Sequence, residues 1–184
     1  MLGNQLEKRF HGNPSGLDTA VVAHESVISF RRGEGGVPLA IASPTDSDVW
    51  PFVLIDSGLR SSTASMIRVA APYFTGEGGD GRIARFDELA GQVATGLADG
   101  DTGCVGQAMR SAQRYLSEAG VSNGRMEEIV ETCEQVGALG AKLTGAGGGG
   151  CVLALLDPAT HEEQLRELKR RIGSRHVYSV RLNG

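Results

Sequence analysis

Residues 142–151 read Lys-Leu-Thr-Gly-Ala-Gly-Gly-Gly-Gly-Cys, and an apolar run from Val152 to Leu156 follows at once. Five of these ten residues are glycine. Glycine loses more backbone freedom on folding than any other residue, so a cluster this dense predicts a backbone that turns sharply or approaches another group closely. Successive amide N–H groups without side chains can form a concavity that binds anions. The stretch therefore predicts a phosphate site. A flexible linker is the alternative, although such linkers favour long Gly and Ser tracts.

Two named phosphate motifs do not fit this loop. A Walker A loop ends in Gly-Lys-Ser/Thr, and no such triplet follows the glycines. Gly145, Gly147 and Gly150 satisfy G-x-G-x-x-G, but that motif follows a strand and opens a helix. Here the pattern predicts a helix before the loop and a strand after it, which argues against a dinucleotide-binding fold.

The composition of the chain limits its possible functions. The 184 residues carry a net charge of −4, which gives no electrostatic support to nucleic-acid binding or to a membrane-surface role. No apolar stretch approaches the ~18 residues of a membrane span. The three cysteines, Cys104, Cys133 and Cys151, are widely spaced. They form no C-x-x-C, which favours reduced thiols in a cytoplasmic protein.

Apolar periodicity predicts an α+β protein. We expect strands at 27–30 and 37–42, joined by a hairpin loop, and at 50–55, 151–156 and 176–182. Amphipathic helices are predicted over 83–97, 105–119 and 126–136. One more helix is predicted to begin at Asp157 as N-cap, with Pro158 at the first helical position.

A second informative segment lies near the N-terminus. Residues 10–18 read Phe-His-Gly-Asn-Pro-Ser-Gly-Leu-Asp, and this run of turn-forming residues predicts a tight turn. Asp18, which follows the turn, is either a helix cap or a reacting carboxylate, and local chemistry favours the cap. By residue type alone, Glu7 is a surface charge on a helix.

The two segments together resemble the GHMP small-molecule kinases, and within them the mevalonate kinases. That family carries nearly the same H-G-N-P-S-G-x-D-N segment and the same K-L-T-G-A-G-G-G-G loop. Residues 55–58, Ile-Asp-Ser-Gly, with Ser62-Thr63 resemble its D-[ST]-G … S-T segment. Thr19 stands where the family usually has Asn. The resemblance implies that residues 51–184 form the family's C-terminal domain, a ferredoxin-like α/β sandwich. Residues 1–50 would then be a remnant of the N-terminal domain that carries the catalytic-aspartate turn.

The resemblance also implies roles for individual residues. Asp18 matches the catalytic aspartate that faces the substrate hydroxyl, and Glu7 matches the glutamate that binds magnesium. Substrate-binding positions are matched by His11, Ser15, Gly16 and Thr63, and the phosphate loop by Gly145, Ala146, Gly147, Gly148 and Gly149. The implied activity is phosphorylation of mevalonate by ATP with Mg²⁺, a cytoplasmic step of isoprenoid precursor biosynthesis.

One large part of the family pattern is absent from these 184 residues. They contain no P-x-x-x-G-L-x-S-S-A loop, and the family's lysine that pairs with the aspartate and its serine that shares the magnesium belong to the same part. We therefore expect the chain to correspond to a C-terminal half that is inactive alone. We also expect it to associate with an N-terminal half or with itself as a homodimer.

Several other functions stay open on the sequence. The first group comprises other members of the family, namely phosphomevalonate kinase, galactokinase, homoserine kinase and diphosphomevalonate decarboxylase. The second is a non-catalytic fragment. The third is an aspartic protease, because Asp56-Ser57-Gly58 follows an apolar run and such enzymes pair two carboxylates in a dimer.

Overall fold

The computed structural model describes residues 50–180, together with 27–30, 38–40 and the single positions Leu17 and Val21. The chain divides into two units, of which Asp48–Arg181 is the larger. In the other unit, β1 (Ile28–Phe30) and β2 (Pro38–Ala40) pair antiparallel. This pairing confirms the predicted hairpin. The division of the chain into domains at residue 50 stays a prediction.

The described part of the larger unit contains five α-helices and four strands. In chain order these are β3 (Phe52–Asp56), α1 (Thr63–Thr75), α2 (Gly79–Asp99), α3 (Thr102–Glu118), α4 (Gly124–Gln135), β4 (Gly140–Leu143), β5 (Cys151–Leu155), α5 (His161–Ile172) and β6 (Val177–Val180). The strands form one antiparallel sheet in the order β4-β5-β3-β6. This order, with helical connections after β3 and β5, is the ferredoxin-like arrangement. It confirms the predicted α+β class.

The core lies on one face of this sheet. Alternate residues of a strand point to the same face, and on β3 these are Val53 and Ile55, which pack with the apolar sides of α4 and α5. Met126, Ile129 and Leu168 supply the helical half of the core and are fully buried. The apolar periodicity of α3 and α4 in the sequence therefore marks faces that are buried in the structure.

Helix α3 contacts the edge strand β4 backbone to backbone. A β-carbon added to Gly106 would lie 2.7 Å from the Leu139 carbonyl carbon, and one added to Gly140 would lie 2.9 Å from the Gly106 Cα. Neither position has room for a side chain, so glycine is required by the close approach. The helix covers this strand, whose edge would otherwise be open to pairing with another chain.

Three sequence-based assignments are wrong. Residues 140–143 form strand β4 where we expected a helix before the loop, and helix α1 was not predicted at all. Helix α5 begins at His161 with Thr160 as N-cap, three residues after the predicted start. Asp157 caps a turn instead, because its Oδ1 accepts the Ala159 N–H at 2.9 Å and its carbonyl accepts the Thr160 N–H at 3.0 Å. Within the described residues, the helices are too short or too polar to cross a membrane.

Candidate functional site

The glycine-rich loop connects β4 to β5 as a hairpin. At its base, the Thr144 N–H donates to the Cys151 carbonyl at 2.9 Å. All five glycines have positive φ: Gly145 +68°, Gly147 +87°, Gly148 +69°, Gly149 +157° and Gly150 +80°. Side chains with a β-carbon rarely adopt these values. Successive backbone N–H groups in such a turn can form a concavity that binds an anion.

The neighbouring loops contact this hairpin closely. A β-carbon on Gly147 would lie 2.8 Å from the Val121 Cβ, and one on Gly148 would lie 3.0 Å from the Ser61 Cβ. One on Gly149 would lie 2.8 Å from the Leu59 carbonyl oxygen. Two constraints therefore require glycine at these three positions: the positive φ and the lack of space for a side chain. The linker alternative is wrong, and the predicted close approach is confirmed.

Hydrogen bonds fix the loop on two sides. The Gly148 N–H donates to the Val121 carbonyl at 2.7 Å, and the Gly150 N–H donates to the Leu59 carbonyl at 2.8 Å. The Ser61 hydroxyl donates to the Gly147 carbonyl. The amides of Gly145, Ala146 and Gly149 have no acceptor in the part of the chain that the structure describes. The loop is thus held in place, while the N–H groups of Gly145 and Ala146, which are not buried residues, stay open to a ligand.

The N-terminus of α1 lies beside the loop. Its N-cap, Ser62, makes no side-chain cap hydrogen bond, and Thr63 is its exposed first residue. A β-carbon added to Gly148 would meet Ser61 and Met66, which lie on either side of Thr63 in the chain. The amides at the start of a helix favour an anion. The structure thus brings the start of α1 and the glycine loop together, while a substrate-binding role for Thr63 stays a prediction.

Asp56 ends β3 beside the same loop and is paired with arginine. Its carboxylate accepts Arg60 Nη1 at 2.8 Å, Arg60 Nη2 at 3.0 Å and the Gly58 N–H at 2.9 Å. The hydrogen bonds from Arg60, followed by that from Gly58, hold the pKa of Asp56 well below its ordinary value. Pairing with arginine favours the charged form of this carboxylate, whereas an aspartic protease needs two carboxylates that share a proton. This pairing and the five described helices argue against the aspartic-protease alternative.

Two other titratable groups flank the glycines. Burial lowers the pKa of Lys142, whose Nζ donates to the Leu143 carbonyl at 2.7 Å. Cys151 faces Asp56 across the β3–β5 pair, and burial followed by the charge of Asp56 raises the pKa of its thiol. Cys151 is therefore a neutral thiol near pH 7.

The other predicted site residues lie outside the described residues, namely Glu7, His11, Ser15, Gly16 and Asp18. Their roles stay predictions. Where the structure describes the chain, no three histidine, cysteine or acidic side chains are grouped to hold a metal ion. Glu7 stays the predicted magnesium ligand.

Sequence reasoning missed the residues that hold the loop. Leu59 and Val121 act through backbone carbonyls, and their side chains carry no signal of that role. Ser61 stands in an ordinary Ser-Ser-Thr run. The one signal in the sequence for such a role is that residues 59–63 directly follow the Asp-Ser-Gly segment.

Comparison with known proteins matches this fold and loop to a family. Residues 93–174 match the sequence model described as GHMP kinases C terminal. The chain carries a GHMP kinase C-terminal domain. It is 32% identical over 164 residues to the mevalonate kinase of Aeropyrum pernix, covering 88% of this chain and 49% of that protein. It is 24% identical over 181 residues to the Homo sapiens mevalonate kinase, covering 92% and 43%.

Solved structures match this GHMP kinase domain as well. The crystal structure of L. major mevalonate kinase in complex with R-mevalonate has a TM-score of 0.84 at 26% identity, covering 96% of this chain and 55% of that one. Streptococcus pneumoniae phosphomevalonate kinase, in complex with phosphomevalonate and AMPPNP, has a TM-score of 0.73 at 18% identity, covering 92% and 56%. The latter likeness shows the fold alone. The chain spans about half the length of the relatives it matches.

Proposed function

We propose that the glycine loop binds the phosphates of ATP, and that the chain takes part in phosphoryl transfer to the hydroxyl of mevalonate. The observation that supports this most strongly is the loop itself. Gly147, Gly148 and Gly149 have no room for side chains, and the amides of Gly145 and Ala146, which are not buried residues, have no described acceptor and are open to an anion. A cradle of this kind fits a phosphate. The names of the relatives point to mevalonate as the acceptor.

This proposal assigns catalytic and binding roles both to residues that the structure describes and to residues outside the described ranges. Bound Mg·ATP would supply the phosphoryl group and neutralise its charge, with Glu7 as protein ligand of the metal. Asp18 would accept or orient the proton of the substrate hydroxyl. His11, Ser15, Gly16 and Thr63 would position the substrate. Phosphoryl transfer depends mainly on such positioning and on charge stabilisation, which the open amides of the loop can provide.

We further propose that these 184 residues do not complete the catalytic site. They lack the P-x-x-x-G-L-x-S-S-A segment, and they correspond to 49% of the Aeropyrum pernix relative. Groups that act as a unit lose nearly all of their effect when part of the unit is missing. The natural partner is accordingly an N-terminal half of the same kind of kinase, in the cytoplasm. Self-association into a homodimer is the alternative assembly.

The decisive experiment uses a chimera in which this chain replaces the matched half of the Aeropyrum pernix mevalonate kinase. ADP release is measured with mevalonate, phosphomevalonate, galactose and homoserine for the chimera, the parent enzyme and the 184-residue chain. We expect turnover by the chimera with mevalonate and none by the chain alone. If the chimera prefers phosphomevalonate, the result would favour the phosphomevalonate kinase alternative instead. A phosphomevalonate kinase of solved structure shares the fold. A folded chimera that binds no ATP would refute the proposal.

A further inference from the structure

We propose that Ser61 is a positioning residue for the glycine loop. Its hydroxyl fixes the orientation of the peptide between Gly147 and Gly148, and so keeps the loop in the form that accepts nucleotide phosphates. This inference rests on the proposed function. It assigns Ser61, which no motif of the sequence marks, to the same site.

The peptide is held at both of its polar ends. Its carbonyl, that of Gly147, accepts the Ser61 hydroxyl, and its N–H, that of Gly148, donates to the Val121 carbonyl at 2.7 Å. Ser61 lies between β3 and α1, whereas Val121 lies between α3 and α4. Two separate connections of the fold therefore determine the direction of a single peptide dipole.

This peptide needs such support because glycine stands on both sides of it. Gly147 and Gly148 have φ of +87° and +69°, and glycine populates either sign of φ about equally well. The intervening peptide can therefore rotate at small cost unless both its ends are bonded. Rotation would break both hydrogen bonds and release the Gly147 carbonyl. Its partly negative oxygen would then be free beside the open amides of Gly145 and Ala146, where it would repel a phosphate.

Ser61 is suited to a test by substitution. The residue is exposed, so loss of its hydroxyl leaves no cavity in the core, and Ser61→Thr can place the extra methyl in solvent while it keeps the donor. Ser65→Ala is the matched control. That hydroxyl lies in the first turn of α1 and, among the described residues, makes a single surface hydrogen bond, which it accepts from Arg68 Nη2 at 3.2 Å.

The experiment measures two properties of the 184-residue chain. The first is exchange of the Gly148 amide with solvent deuterium, followed by NMR without ligand. The second is the affinity for Mg·AMPPNP, measured by calorimetry. We expect Ser61→Ala to speed the exchange and to weaken nucleotide binding roughly three- to tenfold, which corresponds to the loss of one hydrogen bond. Ser61→Thr and Ser65→Ala should behave like the wild type.

Each result bears on the inference in a defined way. If the Gly148 amide of Ser61→Ala exchanges at the wild-type rate, Ser61 does not fix this peptide and the inference is overturned. Faster exchange with unchanged affinity would overturn the role of Ser61 in binding and leave the proposed function intact. A wild-type chain that binds no nucleotide, alone or in the chimera, would overturn both the inference and the proposed function.

Discussion

The Leu143 amide donates a hydrogen bond of 2.9 Å to Oε1 of Gln113, which lies 30 residues earlier in the chain. Leu143 ends β4, one residue before the glycine loop begins, and its N–H points away from β5, at the edge of the sheet that α3 covers. Gln113 is only 5% exposed. Its Nε2 donates in turn to Ser122 Oγ and to Glu127 Oε1, each at 3.2 Å. One buried amide thus joins α3, the start of α4 and the strand that leads into the loop.

We expect Gln113→Leu to lower the free energy of unfolding by roughly 1 to 3 kcal/mol, because the substitution leaves the Leu143 amide buried without an acceptor. Urea unfolding measures the change. Gln107→Leu is the control, since Gln107 is exposed on the same helix. Equal stability of the two variants would contradict the assigned role of the Gln113 hydrogen bonds.

Substitutions in the glycine loop should separate backbone strain from lack of space. At Gly145 only the positive φ opposes a side chain, since nothing lies within 4 Å of an added β-carbon, whereas at Gly147 the carbonyl carbon of Val121 would also lie 3.1 Å away. We expect Gly145→Ala to cost roughly 1 to 2 kcal/mol of stability, the usual cost of the left-handed conformation. Gly147→Ala should cost clearly more and should also weaken Mg·AMPPNP binding. Thermal melting and calorimetry check this order, and equal effects at both positions would show that the contact with Val121 is unimportant.

The sequence predicted the helices that have a continuous apolar face. Val105, Met109, Ile129 and Cys133 recur at helical spacing, and all four are buried. Helix α1 was missed because it has no buried residue and contains Pro72. Its position depends on tertiary contacts, such as that between Met66 and the glycine loop, which leave no periodic pattern.

Strand β4 was missed for a related reason. Four residues, Gly-Ala-Lys-Leu, are too few to show a period, and the strand exists because β5 pairs with it and Gln113 binds its outer edge. The glycine loop was predictable as a close approach because glycine has few other uses at such density. The sequence could not predict which groups approach the loop. Leu59 and Val121 contribute backbone carbonyls, which every residue type possesses.

Glu167 should titrate far below an ordinary glutamate. Hydrogen bonds from Arg170 and Arg171 lower its pKa from 4.5 to about 2. Because the pKa is lower in the folded state, the stabilisation is fully present above about pH 4.5 and is lost as the pH falls towards 2. An NMR titration of the side-chain carboxyl carbon measures the value directly. The neighbouring Glu163 makes no described ion pair and is the internal comparison. A midpoint for Glu167 near 4.5 would mean that the two arginines do not bind it in solution.

Glu7 should govern the metal dependence if it binds magnesium. In the active chimera, we expect Glu7→Gln to raise the Mg²⁺ concentration that gives half-maximal rate, because the amide is a neutral and weaker ligand than the carboxylate. Glu88→Gln is the control, since Glu88 is an exposed partner of Arg85 on α2. An unchanged Mg²⁺ dependence in Glu7→Gln would return Glu7 to the role of a surface charge.

Asp18 should govern the chemical step. Asparagine has nearly the same shape as aspartate but cannot accept the proton of the substrate hydroxyl, and proton transfer by a positioned group contributes roughly 100- to 10,000-fold to a rate. We expect Asp18→Asn in the chimera to lower kcat by an amount in that range, while the melting temperature and the affinity for Mg·AMPPNP stay close to those of the parent. Asp99→Asn, at the end of α2, should leave kcat unchanged. Steady-state rates with mevalonate give the comparison. If Asp18→Asn turns over at a near-normal rate, Asp18 is the helix cap that local chemistry favours, and the proton acceptor lies elsewhere.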